Sequence, residues 1–135
     1  MFGKFTFASK ADYATLDWGR VGALCSPSGT GAKQLTILEG RLYPNKGHDF
    51  HKHVNQEEVI FVVSGQIEQW IDNEKQILGP GDSAFIPPDT VHASFNAGDG
   101  EANILAIFGP SLGENGFEMV DMATEAPWNS LRPKS

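Results

Sequence analysis

Turn-forming residues interrupt this chain at short intervals, and that spacing limits the folds open to it more than any other feature. The breaks, rich in Gly, Pro, Asn and Asp, fall at residues 44–47, 64–65, 72–74, 79–82, 87–89 and 97–100. The segments between them are rich in Val, Ile, Phe and Thr, as β-strands are. They are residues 34–43, 58–63, 66–71, 76–78, 83–86, 91–96 and 103–108. Loops this short leave no room for crossover helices, so we predict an all-β fold of antiparallel strands, either a closed barrel or a sandwich.

The length and composition of the chain are those of one compact domain. Its 135 residues are 40% hydrophobic and 20% charged, which supplies enough apolar material for a core and argues against disorder. We therefore interpret residues 1–135 as a single domain with a barrel at about 34–108. Residues 1–33 and 109–135 are expected to add flanking strands and a tail packed against the barrel.

The charge balance and the single cysteine narrow the class of partner and the compartment. The formal net charge is −7 and the Lys and Arg residues are not clustered, so we expect no nucleic-acid partner. No apolar run approaches the length needed to cross a bilayer, so we expect no membrane association. Cys25 is the only cysteine, which rules out an intramolecular disulfide and agrees with a reducing compartment. We expect a cytoplasmic protein that binds a small molecule.

Three of the four histidines and one glutamate form a candidate metal site. His51 and His53 are two residues apart, so on a strand both imidazoles point to the same face. Glu58 shares a strand face with branched apolar residues, where a carboxylate is costly unless it is paired or ligated. His92 lies near the start of the strand predicted at 91–96. Nitrogen and oxygen donors without thiolate suit one divalent transition metal, which could be Fe, Mn, Ni, Co, Cu or Zn.

These residues resemble the two motifs of the cupin superfamily, G-x5-H-x-H-x(3,4)-E-x6-G and G-x5-P-x-G-x2-H-x3-N. The matching residues are His51, His53, Glu58 and Gly65 for the first motif, and Gly81, Pro87, His92 and Asn96 for the second. Asn45 and Asp89 stand where the motifs have glycine, and aspartate tolerates the positive φ of such a turn. The resemblance to a small single-domain cupin implies a double-stranded β-helix (cupin or jelly-roll) barrel. It also implies that His51, His53, Glu58 and His92 bind the metal and leave positions open for water or substrate.

Further residues are expected around the metal, either to support its ligands or to contact a substrate. These candidates are Ser94, Asn96, Arg41, Tyr43, Trp70 and Phe108. The first two share the strand parity of His92 and should point to the same interior. For the other four, an outward polar face or ordinary packing is an equally good explanation. His48 lies outside the motifs and is interpreted as a solvated loop residue.

The face opposite Glu58 on its strand carries Val59, Phe61 and Val63. So much apolar surface on the outside of a barrel needs cover. Either the tail of the chain or a second subunit could provide it. Cupins are commonly dimers, so the resemblance implies a homodimer.

A fold of this kind does not determine the reaction, and function has to be argued from the site. Our leading hypothesis is a small metal-dependent enzyme, an oxidoreductase of the dioxygenase type or an isomerase, that acts on a small oxygen-rich molecule. Glu58 is then a ligand and, if it detaches, a catalytic base. The alternative is a non-catalytic cupin that binds or senses a small ligand with the metal as anchor. A third hypothesis is a barrel that the metal only stabilises.

Overall fold

The computed structural model describes residues 3–132, so the outermost ends of the predicted domain, 1–2 and 133–135, lie outside the described residues. Eleven strands are found within the described range. They are β1 (Tyr13–Leu16), β2 (Gly19–Cys25), β3 (Thr36–Leu42), β4 (Gly47–Lys52), β5 (Glu57–Ser64), β6 (Ile67–Ile71), β7 (Glu74–Leu78), β8 (Ser83–Ile86), β9 (His92–Asn96), β10 (Ala102–Gly109) and β11 (Val120–Asp121). Every predicted strand segment overlaps one of them. Within the predicted barrel, β4 was not among the predicted segments, and it begins inside the break predicted at 44–47.

The strands form two antiparallel sheets, which confirms the predicted jelly-roll architecture. The first sheet has the order β1-β2-β3-β10-β5-β8, and the second has the order β11-β4-β9-β6-β7. Sequence neighbours such as β4 and β5 lie in different sheets, which is how a jelly roll folds over itself. Within the described residues the two sheets remain separate ladders rather than one closed cylinder.

Tight turns join the sheets, and residues that accept a left-handed backbone occupy them. Asn45 and Asp89 have φ values of 64° each, so both residues that replace motif glycines adopt the conformation for which glycine is usually needed. The helices α1 (Pro27–Thr30) and α2 (Trp128–Leu131) have four residues each. In the described part of the chain, no helix is long and apolar enough to cross a membrane.

Two apolar clusters hold the fold together. The first lies between the sheets and consists of Leu42, Ile60, Val62, Ile67, Ile86, Ala102 and Ile104. Full burial of one such branched side chain contributes about 1.5–3 kcal/mol. The second cluster lies mostly on the β4-β9-β6 side and consists of Phe50, Trp70, Val91, Ala93 and Phe95.

The tail packs on the second cluster. β11 pairs with β4, and Met122, Trp128 and Leu131 contact the apolar residues beneath them. The tail therefore belongs to the five-stranded sheet. It does not cover Phe61 and Val63 on the other sheet, whose side chains are exposed. The expectation that the tail covers this face is therefore wrong, and a second subunit is the other expected cover.

Candidate metal centre

Three imidazoles meet inside the jelly roll. His51, His53 and His92 are 5%, 4% and 1% exposed, and each offers a ring nitrogen within 4.8 Å of the others. His51 of β4 lies directly opposite His92 of β9, and His53 follows the end of β4. Strand pairing therefore brings together histidines that are 41 residues apart in the sequence (92 − 51).

Backbone carbonyls orient all three rings. The Nδ1 atoms of His51, His53 and His92 lie 2.6, 2.9 and 2.9 Å from the carbonyl oxygens of Asp49, Glu118 and Thr90. A carbonyl oxygen only accepts, so each Nδ1 must carry the proton and donate it. Each Nε2 of a neutral ring then presents a lone pair to the interior. This tautomer, held by an outer hydrogen bond, is the one found in metal-binding histidines.

Glu58 points into the same space from β5. Its Oε1 atom lies 2.8 Å from Nε2 of His92 and 3.3 Å from Nε2 of His53. These three atoms are buried, yet none has a hydrogen-bond partner of acceptable geometry. Lone pairs that face a carboxylate oxygen this closely repel one another unless a proton or a cation lies between them. The donor set of three imidazoles and one carboxylate therefore fits a divalent cation.

The electrostatics of the centre keep its donors available. Burial lowers the pKa of His51 well below its ordinary value, and the neighbouring His48 and His92 lower it further. Burial alone would raise the pKa of Glu58, but the imidazoles of His53 and His92 outweigh it and lower that pKa. Burial lowers the pKa of His92, whereas Glu58 raises it by more. The cluster thus holds an ionised carboxylate and a neutral His51.

His48 also faces the interior, contrary to the expectation of a solvated loop residue. Its ring stacks between Trp18, at 4.7 Å between centroids, and His51, at 3.7 Å. The pairing of β4 with β9 shifts register between His48 and His51, as in a β-bulge. The bulge turns both rings to the same side although they are three residues apart, which regular alternation would forbid. Burial lowers the pKa of His48 to about 4.

A second residue that the sequence analysis missed is Gln56, which ties the chain after β10 to the centre. Its Nε2 donates to the carbonyls of Pro110 and Gly116 at 2.7 and 2.9 Å, and its Oε1 accepts from the Glu118 N–H at 3.1 Å. The carbonyl of Glu118 in turn accepts from His53. Gln56 therefore positions the segment that orients one of the imidazoles.

The cluster opens into a cavity of about 680 Å³ between the sheets. Among the residues expected around the metal, Ser94 and Phe108 line this cavity. The Ser94 hydroxyl donates to Gln69 at 2.6 Å, and the ring of Phe108 lies edge-on to His53 at 4.7 Å. His48 also lines the cavity.

The other four expected residues belong to the frame of the protein and not to the cavity wall. Asn96 is buried but donates to the carbonyls of Leu42 and Gly100, which ties the end of β3 to the loop before β10. Trp70 packs in the second apolar cluster, beneath the tail. Arg41 pairs with Glu39, and alternation along β3 places both on the face away from the cavity. Tyr43 follows β3 and bonds through its main chain to Trp18.

Comparisons with known proteins agree with the fold. The profile of the family described as Cupin domain matches residues 37–108. Protein SchB from Streptomyces halstedii is 32% identical over 92 residues, which cover 68% of this chain and 67% of SchB. CurC from Streptomyces cyaneus, named a polyketide synthase, is 30% identical over 109 residues, which cover 81% of this chain and 70% of CurC. KdgF from Halomonas sp. is a solved structure with a TM-score of 0.71 and 19% identity, over 80% of this chain and 94% of KdgF, and it is similar in fold.

Proposed function

This chain belongs to the cupin domain family, and from that premise we propose that it is a metal-dependent enzyme with one divalent transition metal. The observation that carries the proposal is the cluster of buried, partnerless atoms: Nε2 of His53, Nε2 of His92 and Oε1 of Glu58. Buried polar atoms without partners are rare in folded proteins and call for an explanation. A cation between them supplies one.

We assign four ligands to that metal: His51, His53, Glu58 and His92. Such a set leaves coordination positions open towards the cavity, as catalytic sites do and closed structural sites do not. When bound, the metal would act as a Lewis acid on an oxygen atom of the substrate or support redox chemistry with dioxygen. The low pKa of Glu58 suits a permanently charged ligand better than a base.

The protein's own contribution is a largely apolar wall beside these ligands. The cavity wall next to Glu58 includes Ile60 and Phe108, which offer no hydrogen-bonding side-chain atoms to a substrate. His48, whose lowered pKa of about 4 keeps it neutral at pH 7, is a further group at the wall that can donate or accept a proton. The reaction classes that we assign are dioxygenase or isomerase chemistry on a small molecule that presents oxygen atoms. CurC is named a polyketide synthase, so a polyketide-derived substrate is one member of that class for this chain.

The alternative function is binding or sensing without chemical change. The wall beyond the cluster is mainly apolar and offers few groups for acid–base catalysis, which favours retention of a ligand over its conversion. The two functions differ in what happens to the ligand.

Oxygen uptake by iron-loaded protein tests the enzyme proposal. We expect uptake, or isomerisation followed by NMR, with at least one compound in a panel of diols and keto acids. The His92→Ala variant, loaded in the same way, is the matched control and should be inactive. Recovery of the compounds unchanged from a protein that retains them would support the binding alternative. Absence of turnover with Fe, Mn, Ni, Co, Cu and Zn in turn would contradict the enzyme proposal.

We further propose a homodimer through the outer face of the six-stranded sheet. Val59, Phe61 and Phe85 lie on this face, where Val59 and Phe85 are cross-strand partners. Phe61 and Phe85 are 36% and 53% exposed, and the tail lies on the other sheet.

The cytoplasmic location expected from the sequence stays a prediction.

A further inference from the structure

The cavity wall beyond the metal centre is built from rows of side chains that cross the six-stranded sheet. Glu58 of β5 stands opposite Phe108 of β10. Two residues further along the strands, the next row consists of Ile60, Ala106, Leu38 and Ala23. The row after that includes Ile104, Gly40 and Val21. The seven residues named in these two rows all line the cavity.

The spacing of the rows gives the cavity a direction. Residues two apart on a strand are about 7 Å apart, so the two rows lie about 7 and 13 Å from the row of Glu58. The metal centre therefore adjoins a slot that extends along the strands and whose floor carries aliphatic side chains. Small residues such as Ala23 and Ala106 keep that floor low.

The charged side chains that line the cavity are carboxylates. Among the described residues that line the cavity, the charged ones are Asp12 and Glu58, and neither Lys nor Arg is present. A carboxylate or phosphate group away from the metal would lose its hydration without gaining a cation in return. The apolar rows thus select against a ligand whose part away from the metal is anionic or heavily hydroxylated.

The volume is larger than a small oxygen-rich molecule needs. A cavity of about 680 Å³ has room for roughly 20 water molecules at the volume that each occupies in the liquid. A diacid of two or three carbons would leave most of the aliphatic wall in contact with water. Apolar atoms on the ligand would release that water and gain binding free energy in proportion to the area buried.

We propose, resting on the metal-binding function above, that the natural ligand is an uncharged molecule with an apolar body the size of a fused bicyclic ring system or larger. Its oxygen-bearing end is directed at His51, His53, Glu58 and His92. Its body lies along the rows of Ile60 and Ile104. This narrows the substrate class from small oxygen-rich molecules to largely apolar ones with one polar end.

Three probes with the same chelating end test this proposal on the zinc-loaded protein by calorimetry. They are 2,3-dihydroxynaphthalene, catechol and 6,7-dihydroxynaphthalene-2-sulfonate. We expect the neutral bicyclic diol to bind at least tenfold more tightly than catechol, which lacks the second ring. It should also bind at least tenfold more tightly than the sulfonate, whose charge would enter the apolar rows. Equal or tighter binding of catechol or of the sulfonate would overturn the proposal.

A variant that fills part of the cavity tests where the second ring of the bicyclic diol binds. Ala106→Leu places extra atoms on the floor of the slot, about 7 Å from the row of Glu58. It should retain the same zinc content and the same affinity for catechol, and lose the advantage of the bicyclic diol. An unchanged advantage would place the second ring elsewhere and contradict the proposal.

A titration of the metal-free protein tests the apolar slot independently of metal binding. Chelator-treated protein is titrated with N-phenyl-1-naphthylamine, a neutral apolar fluorophore, and Ala106→Leu serves as control. Saturable binding that the variant weakens at least fivefold supports an apolar slot even if the protein proves to hold no metal. A protein that retains zinc but binds neither this probe nor the bicyclic diol would refute the slot and leave the metal site standing.

Discussion

The imidazole of His48 lies nearly parallel to that of His51, with 3.7 Å between the ring centroids and 17° between the ring planes. Trp18 stacks on the other side of His48, at 9°. The indole is thus connected to a proposed metal ligand through one intervening ring. This stack restricts the rotation of His51 and keeps its Nε2 directed at the centre.

Removal of the stacked ring should weaken metal binding although His48 is not a ligand. For His48→Ala we expect affinity to fall roughly tenfold, at the lower end of what outer partners of metal ligands contribute. His48→Phe keeps a flat ring in the stack and should retain the affinity of the parent protein. Calorimetric titration with Zn(II) measures both. Equal affinities for the alanine and phenylalanine variants would show that the stack does not position His51.

The metal-free protein should lose stability as the pH falls from about 6.5 towards 4. Burial lowers the pKa of His48 to about 4 and that of His51 well below 6.5, so both stay neutral in the folded protein. The unfolded chain protonates both near pH 6.5 and therefore binds more protons in this window. Each such histidine lowers the free energy of unfolding by about 1.4 kcal/mol per pH unit. The raised pKa of His92 acts above pH 6.5, where its contribution is lost as the pH rises.

Urea unfolding of chelator-treated protein at pH 7 and pH 5 measures this dependence. The His48→Phe variant has one neutral histidine fewer and should show a shallower decline. A midpoint that is the same at both pH values would mean that these rings are protonated in the folded state.

Gln56 is expected to matter for both stability and the metal site. Gln56→Ala removes three hydrogen bonds to the segment at 110–118, so the free energy of unfolding should fall by about 3 kcal/mol. The carbonyl of Glu118 loses its anchor, so His53 should turn more freely and bind metal more weakly. Denaturant unfolding and metal titration measure the two effects. Gln66→Ala, at an exposed glutamine, is the matched control. A similarly small effect of both variants would show that Gln56 does not anchor the segment at 110–118.

The exposed aromatic face of β5 and β8 should hold two copies together. We expect sedimentation at micromolar concentration to show a species of about twice the 14.7 kDa chain mass. The double variant Phe61→Ser, Phe85→Ser removes apolar area from this face and should sediment as a monomer. Phe5→Ser changes an exposed phenylalanine outside the two sheets and should leave the dimer intact. A parent protein that sediments only at 14.7 kDa would contradict the dimer.

Local patterns in the sequence were sufficient for the antiparallel all-β class, and the resemblance to the cupin motifs implied the jelly-roll topology. The short intervals between turn-formers predicted the antiparallel strands, because two-sheet folds need frequent tight turns. The spacing of His51 and His53 predicted that both point to one face, since strand alternation places them there, and the resemblance to the cupin motifs implied that His92 joins them. Asp89 in place of glycine was compatible because aspartate adopts a left-handed backbone there.

Features that depend on long-range contacts could not be predicted in the same way. The bulge that turns His48 inward leaves no local signature in residues 47–52, so alternation assigned that ring to solvent. Gln56 bonds to residues 54 to 62 positions away, which no pattern around it indicates. Asn96 shares the parity of His92 and Ser94, but it lies at the end of β9, where its amide donates to the carbonyls of Leu42 and Gly100, so parity alone did not separate it from the cavity-lining residues.

Whether His51, His53, Glu58 and His92 bind a metal is best tested by elemental analysis after dialysis against Zn(II) or Mn(II), beside a double variant His51→Ala, His92→Ala. We expect about one metal ion per chain in the parent protein and close to none in the variant, whose circular dichroism should still be that of a β protein. Equal metal content in the two proteins, or none in the parent, would contradict this expectation.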